Sequence, residues 1–328
     1  MTAPRARSPA ADAIPEALIE RFSVTLGRLW PGDERLGLAV SGGPDSLAML
    51  LLAQAAVPGR FEVASVDHGL RPEAADECAM VALLCAERGI PCEVLRVTVD
   101  GGNVQAAARE ARYRALADWA DRRGLSAIAT AHHADDQAET LLMRLNRGSG
   151  VPGLAGVRES GAMPGSAIPL IRPLLEFRRQ ELGEVIECAA PAAAQDPSNL
   201  DDKYDRVRLR KALAGVDWLD VPSLARSATN LADADEALAW ATEREWSERV
   251  AESPDELRYL RTDAPRAIVL RVAGRAIGVL GGQARGSDLA RLIERLEAGG
   301  SGNLAGVLVT VERGQWVFRP EPPRGARR

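Results

Sequence analysis

Short apolar runs of Val, Ile, Leu and Ala alternate along the first half of the chain with longer stretches whose apolar residues recur every three or four positions. A strand covered on both faces reads as a near-continuous apolar run, whereas its covering helix is apolar on one stripe only. The alternation therefore predicts a parallel sheet flanked by helices. Leu36–Val40 reads as a buried strand and Leu47–Ala56 as the helix after it. Phe61–Val66 and Glu93–Val97 read as the next two strands, separated by a helix over Glu73–Arg88. A long Ala/Arg helix spans Val104–Arg123 and is stopped by Gly124. Ala127–Thr130 follows as a fourth strand, and Asp135–Asn146 as a helix ended by Gly148.

Between Gly148 and Gly165 the pattern dissolves into a Gly- and Pro-rich stretch, read as a mobile loop beside the site. Pro169–Leu175 reads as a last strand or extended segment, Phe177–Ala189 as a helix and Pro191–Asp205 as irregular. Beyond about Val221 the period is mostly helical, through Ala228–Val250 and Ala264–Leu280. A hairpin of Val307–Val311 and Gln315–Phe318 turns at Arg313–Gly314. The fold class expected is α/β: a doubly wound, mostly parallel sheet, then a smaller, mainly helical C-terminal domain ending in a hairpin. We divide the chain into a disordered tail (1–20), a catalytic domain (21–218) and a C-terminal domain (219–328), with the boundary near 215–225.

Composition narrows the partners. A net charge of −5 over 328 residues excludes a generally basic nucleic-acid coat, so a polyanion would have to find a local patch. Lys203, Arg206, Arg208, Arg210 and Lys211, against the single acid Asp205, form such a patch, unless they simply make a solvated helix face. Aromatics are 4% of the chain, so the core must be built from Ala, Leu and Val. Cys78, Cys85, Cys92 and Cys188 contain no CxxC pair and no nearby histidine, which argues against a zinc or iron–sulfur site and for a reducing compartment. The longest apolar run, Leu47–Ala53, falls short of the roughly 18 residues of a membrane span. Met1–Pro15 lacks the apolar region of a secretory signal. We expect a cytoplasmic protein without membrane association.

The strongest chemical signal is Ser41-Gly42-Gly43-Pro44-Asp45-Ser46, set between a buried strand and a helix. The two glycines let the backbone turn sharply and approach an anion, and Pro44 suits a first helical turn. Orphan amides and the helix macrodipole then form an anion cradle to which Ser41 and Ser46 add hydroxyls. Asp45 is an odd neighbour for phosphate unless it holds a divalent cation. The string is neither GxxxxGK[ST] nor GxGxxG. Its plainest alternative is a tight turn that merely requires glycine.

Two more segments fall at the carboxyl ends of strands, where open parallel sheets bind ligands. Asp67-His68 follows the second strand, and Ala131-His132-His133-Ala134-Asp135-Asp136-Gln137-Ala138-Glu139-Thr140 follows the fourth. Asp136 and Glu139 are neighbours at i, i+3 on one helix face and suit a cation such as an ammonium group. A metal site or a solvated capping helix is the alternative, although adjacent histidines ligate poorly from one helix. All three histidines of the chain (His68, His132, His133) lie in these sheet-edge segments, which favours chemistry over packing. Arg109 and Arg112 are candidates for phosphate contact from the long helix.

The string Ser41–Ser46 resembles the SGGxDS pyrophosphate loop of the N-type ATP pyrophosphatases. The segments at Asp67–Arg71, Arg109–Tyr113, Ala131–Thr140, Asn146–Gly150, Asp196–Asn199 and Tyr204–Arg210 narrow the likeness, and residues 36–211 closely resemble the tRNA(Ile)-lysidine synthetase family. Val207 stands where that family usually carries Asn between two arginines. The resemblance implies an adenine nucleotide alpha hydrolase-like fold and ATP-dependent ligation of L-lysine to the wobble cytidine of a CAU-anticodon isoleucine tRNA. It also implies ATP and Mg²⁺ as cofactors, with Asp45 the metal ligand, and no stable protein partner. It assigns nucleotide binding to Ser41, Gly42, Gly43, Pro44, Asp45, Ser46, Asp67 and His68. Catalytic roles would fall to Asp45, Arg112, His132, Asp136, Glu139, Arg206 and Arg208. The alternatives are a tRNA 2-thiolation enzyme, which generally needs paired cysteines or a cluster, and a non-catalytic nucleotide-binding protein.

Overall fold

The computed structural model describes residues 14–70, 72–98, 104–189, 209, 216 and 218–321, and it divides into two compact units, residues 1–232 and 233–328. The division falls inside a helix, beyond the boundary region expected from the sequence. The basic patch, Arg206 and Arg208 included, and the segment Asp196–Asn199 lie outside the described residues.

The first unit opens with helix α1 (Glu16–Leu29), which starts inside the stretch assigned to the tail. Its apolar positions Leu18, Phe22 and Leu26 recur every four residues and are buried. Then come β1 (Arg35–Ala39), α2 (Pro44–Ala56), β2 (Phe61–Asp67), α3 (Pro72–Glu87), β3 (Cys92–Arg96), α4 (Val104–Arg123), β4 (Leu125–Ala129) and α5 (Ala134–Asn146). Gly124, at φ +63°, supplies the left-handed residue that ends α4. The Gly/Pro-rich stretch holds a short helix α6 (Val151–Leu154) and a strand β5 (Ser160–Ala162), neither read from the sequence. The unit continues through β6 (Pro169–Ile171), α7 (Arg179–Ala189) and the start of α8 (Val221–Arg249).

The six strands order as β3-β2-β1-β4-β6-β5, parallel except for the edge strand β5. Alternation along β1 sends Leu36 and Leu38 to one face, where they join Leu47–Ala53 of α2, Phe22 of α1, Cys85 of α3 and Val185 of α7. The opposite face carries Tyr113, Leu116 and Trp119 of α4 against Ala64, Leu95 and Ile128. Helices on both faces make the sheet doubly wound, as expected. α2 is apolar nearly all round because it lies between the sheet and two other helices.

The remainder of α8 leads into β7 (Val250–Ser253), β8 (Glu256–Leu260), α9 (Arg266–Val279), α10 (Gly286–Glu297), β9 (Gly302–Leu304), β10 (Val307–Glu312) and β11 (Gln315–Pro320). The expected hairpin is β10–β11, with Arg313 and Gly314 both at positive φ (51° and 79°), as a type I′ turn requires. It is the middle of a five-stranded antiparallel sheet, β7-β8-β11-β10-β9, three strands of which the sequence reading did not anticipate. Trp246, Tyr259, Val272, Ile293 and Phe318 centre the core of this unit.

Candidate active site

Three neighbouring strands of the first unit, β1, β4 and β6, deliver their carboxyl ends to one edge, and each is followed by a chemically distinctive segment.

After β1 the chain turns through Gly42 at φ +87° into α2, with Gly43 as N-cap. The positive φ requires glycine there, and a side chain would also crowd the Glu77 carbonyl at 3.3 Å. The buried Ser46 hydroxyl accepts from the Ser41 N–H (3.1 Å) and donates to the Gly43 carbonyl (2.9 Å). Ser46 thus closes the loop upon itself and spends its hydrogen bonds there, while Pro44 and Asp45 open the helix. Asp45 retains 32% of its side-chain exposure at the loop mouth.

After β4, Thr130 Oγ1 lies 3.1 Å from His132 Nδ1, and His133 caps α5. His133 is fully buried. Its Nε2 lies 3.4 Å from Asp45 Oδ2 and 3.6 Å from Asp136 Oδ2, and its Nδ1 is 3.7 Å from Asp135 Oδ2. One imidazole therefore stands between the anion loop and the acidic helix. Asp136 also accepts from the His133 backbone N–H at 3.2 Å, which fixes the start of α5. The His132 imidazole is pushed down to about 4, first by burial and then by Arg172, Arg112 and Arg109, with Asp136 opposing. At neutral pH it is uncharged and weakly basic, suited to hydrogen bonding rather than to taking a proton from an ammonium group.

The structure separates the acidic residues by role. Asp135 accepts from the Arg179 backbone N–H (2.8 Å) and from Arg178 Nε (3.3 Å). Burial works to raise the Asp135 carboxyl, but these two donors outweigh it and hold the group below its ordinary value. Asp135 thus ties α5 to α7. Glu139 is buried and faces Arg179, whose Nη2 is 3.7 Å from Glu139 Oε1 and 3.5 Å from His133 Nε2. Arg179 and the capping role of His133 were missed in the sequence: the arginine is 40 positions beyond Glu139, in a helix carrying no motif. Gln137 was missed as well. Its side chain pairs with both the N–H and the carbonyl of Val157 (2.7 and 2.8 Å) and pins the Gly/Pro-rich stretch to α5.

Asp67 and His68 stand at the carboxyl end of β2, where Asp67 Oδ1 accepts from the Gly69 N–H at 2.9 Å. Arg109 and Arg112 of α4 place their guanidiniums 5.0 and 5.2 Å from the centroid of the buried Tyr113 ring. Among the described residues, no trio of His, Cys, Asp or Glu is arranged to hold a metal ion by itself. No described helix is long and apolar enough to cross a membrane.

A parallel sheet whose first strand ends in a glycine-rich anion loop over a helix N-terminus defines a class. Residues 16–216 match the model of the PP-loop domain family, whose members bind ATP. The fold resembles that of the U34-tRNA thiolase NcsA from Methanococcus maripaludis (TM-score 0.52, 17% identity, 66% of this chain and 80% of that one). The tRNA(Ile)-lysidine synthase of Novosphingobium aromaticivorans is 51% identical, covering 88% of this chain and 89% of its own length. That of Zymomonas mobilis is 40% identical over 90% and 91%. The chain belongs to the tRNA(Ile)-lysidine synthase family.

Proposed function

We propose that this protein joins L-lysine to C2 of the wobble cytidine, position 34, of an isoleucine tRNA with a CAU anticodon. ATP is cleaved to AMP and diphosphate, and the product, lysidine, changes the tRNA from methionine to isoleucine identity. The observation that carries the reading is the 3.4 Å approach of His133 to Asp45, which sets the Ser41–Ser46 loop against the acidic helix, as joint binding of a nucleotide and a cation would need.

The amides of the Ser41–Ser46 turn hold the β and γ phosphates and leave the α phosphorus open. The cytidine O2 attacks that phosphorus in line and diphosphate departs. The lysine ε-amine then adds at C2, AMP leaves with the former O2, and the amine protons pass to solvent. Asp136 and Glu139 receive the ammonium groups of lysine, and His132 hydrogen-bonds the adenylated base. Arg112 neutralises phosphate charge together with Arg206 and Arg208, and Asp67 and His68 border the nucleotide. Catalysis is mainly positioning and charge neutralisation. An anticodon-loop base is cheap to extrude compared with a duplex base.

Asp45 suits Mg²⁺, because that ion is commonly held by one or two carboxylates together with substrate phosphates and water. It would supply charge neutralisation for the departing diphosphate. We place the enzyme in the cytoplasm, where tRNA and ATP are available.

The test is mass spectrometry of a CAU-anticodon tRNA(Ile) transcript incubated with enzyme, ATP and lysine. The expected product carries the mass of one lysine less one water on the wobble cytidine. An unmodified transcript with intact ATP would overturn the reading.

A further inference from the structure

Arg172 follows β6 directly, beside the segment that carries His132. The Thr130 N–H donates to the Ile171 carbonyl at 3.0 Å, so the two chain ends run side by side. The Arg172 residue is only 8% exposed, yet no carboxylate pairs with it among the described residues. Its Nη1 donates to the Arg158 carbonyl at 2.5 Å, and its buried Nε has no partner. Burial works to strip the proton from this guanidinium, and Arg109 adds like-charge repulsion. The neighbouring Tyr113 hydroxyl, also buried, opposes that shift by facing the Arg172 guanidinium, but has no well-aligned hydrogen bond of its own. The Arg109 and Arg112 guanidiniums lie over the buried Tyr113 ring, and both arginines are more exposed than it is. Buried charges are normally paired, and an arginine that served packing alone would be matched by a carboxylate. Among the described residues no acid pairs with Arg172, Arg109 or Arg112, so three guanidiniums and a phenol make a receptor for an anion, and the planar fork of arginine grips the oxygens of a phosphate in bidentate fashion.

We infer that Arg172 and the Tyr113 hydroxyl, with Arg109 and Arg112 at the rim, form a second anion seat, distinct from the Ser41–Ser46 loop, that takes a phosphate ester of the substrate. The inference rests on the proposed function only for which phosphate this is: that of the adenylate or one in the RNA backbone. The field of this cluster also contributes to keeping His132 uncharged.

The test is titration calorimetry on the full chain with three probes: inorganic diphosphate, AMP and a CAU anticodon stem-loop RNA. In Arg172→Met, AMP or the stem-loop (or both) is expected to bind about tenfold more weakly, while diphosphate stays within about twofold. Loss confined to AMP assigns the seat to the adenylate, and loss confined to the stem-loop assigns it to the RNA backbone. Arg172→Lys, which keeps the charge but not the fork, and Tyr113→Phe should each weaken the same probe about threefold. These two variants carry the comparison if Arg172→Met does not fold. Unchanged AMP and RNA binding in the variants overturns the inference, as does an equal loss for all three probes, which would mean collapse of the whole edge. No arm needs lysine or turnover. A wild-type enzyme that leaves the tRNA unmodified would therefore sink the ligase reading alone, while the binding arms judge the seat.

Discussion

Adjacent histidines in one segment can be given opposite duties by burial. His133 is sealed between Asp45, Asp135 and Asp136 and organises the helix start, whereas His132 faces the arginine cluster and is held neutral. An unfolded histidine takes a proton near pH 6.5, but His132 in the fold resists until about 4. The stability it contributes is complete above pH 6.5 and declines as pH falls from there towards 4, by at most about 3 kcal/mol. The urea midpoint of the wild type should therefore drop between pH 7 and 5 more steeply than that of His132→Asn, and identical slopes would refute the assignment. Glu139 offers a second test at this scale. If Glu139 receives a lysine ammonium as proposed, Glu139→Gln should raise the lysine KM about tenfold with the ATP KM within about twofold, because a charge-assisted contact would be lost. Equal rises in both would refute the ammonium role of Glu139.

At the scale of elements, the sheet depends on a position without a side chain. Gly37 of β1 lies against α4, and a Cβ there would stand 2.4 Å from Ile128 Cδ1 and 2.7 Å from the Trp119 ring. Trp119 is fully buried and cannot swing away. Gly37→Val is expected to cost about 1–3 kcal/mol through overpacking, read as a lowered midpoint in chemical denaturation. Since β1 feeds the Ser41–Ser46 loop, ATP affinity should fall with it. A loss below about 0.5 kcal/mol would show that α4 can yield.

For the molecule as a whole, the two units set limits at opposite ends of the pH scale. Tyr259, in the core of the second unit, is pushed up to about 12, first by burial and then by its hydrogen bond to Glu245 at 2.8 Å. Unfolded tyrosine ionises near 10, so the stability Tyr259 contributes is whole below pH 10 and is lost as pH rises towards 12. Tyr259→Phe should flatten the alkaline decline in midpoint while leaving the acid limb, to which His132 and the paired carboxylates contribute, unchanged. Glu245 keeps the Thr262 hydroxyl as donor in that variant (2.6 Å), so no buried acid is orphaned. An alkaline limb as steep as in wild type would exclude Tyr259 as its source.

The sequence alone determined the strand–helix alternation, the doubly wound sheet, the C-terminal hairpin and the Ser41–Ser46 loop. All of these are local: apolar period, glycine at a turn and a helix start are written within a dozen residues or fewer. Helix α1 was locally legible in Leu18, Phe22 and Leu26 but was passed over beside the Pro-rich tail. The polar strands β7 and β9 gave weak alternation to read. Tertiary structure decided the pairings that make a site: Asp45 with His133, Glu139 with Arg179, Gln137 with Val157, and Arg172 beside Tyr113. These partners come from separate strands and helices, and only closure of the sheet edge, by burying charge among charge, fixes which side chain answers which.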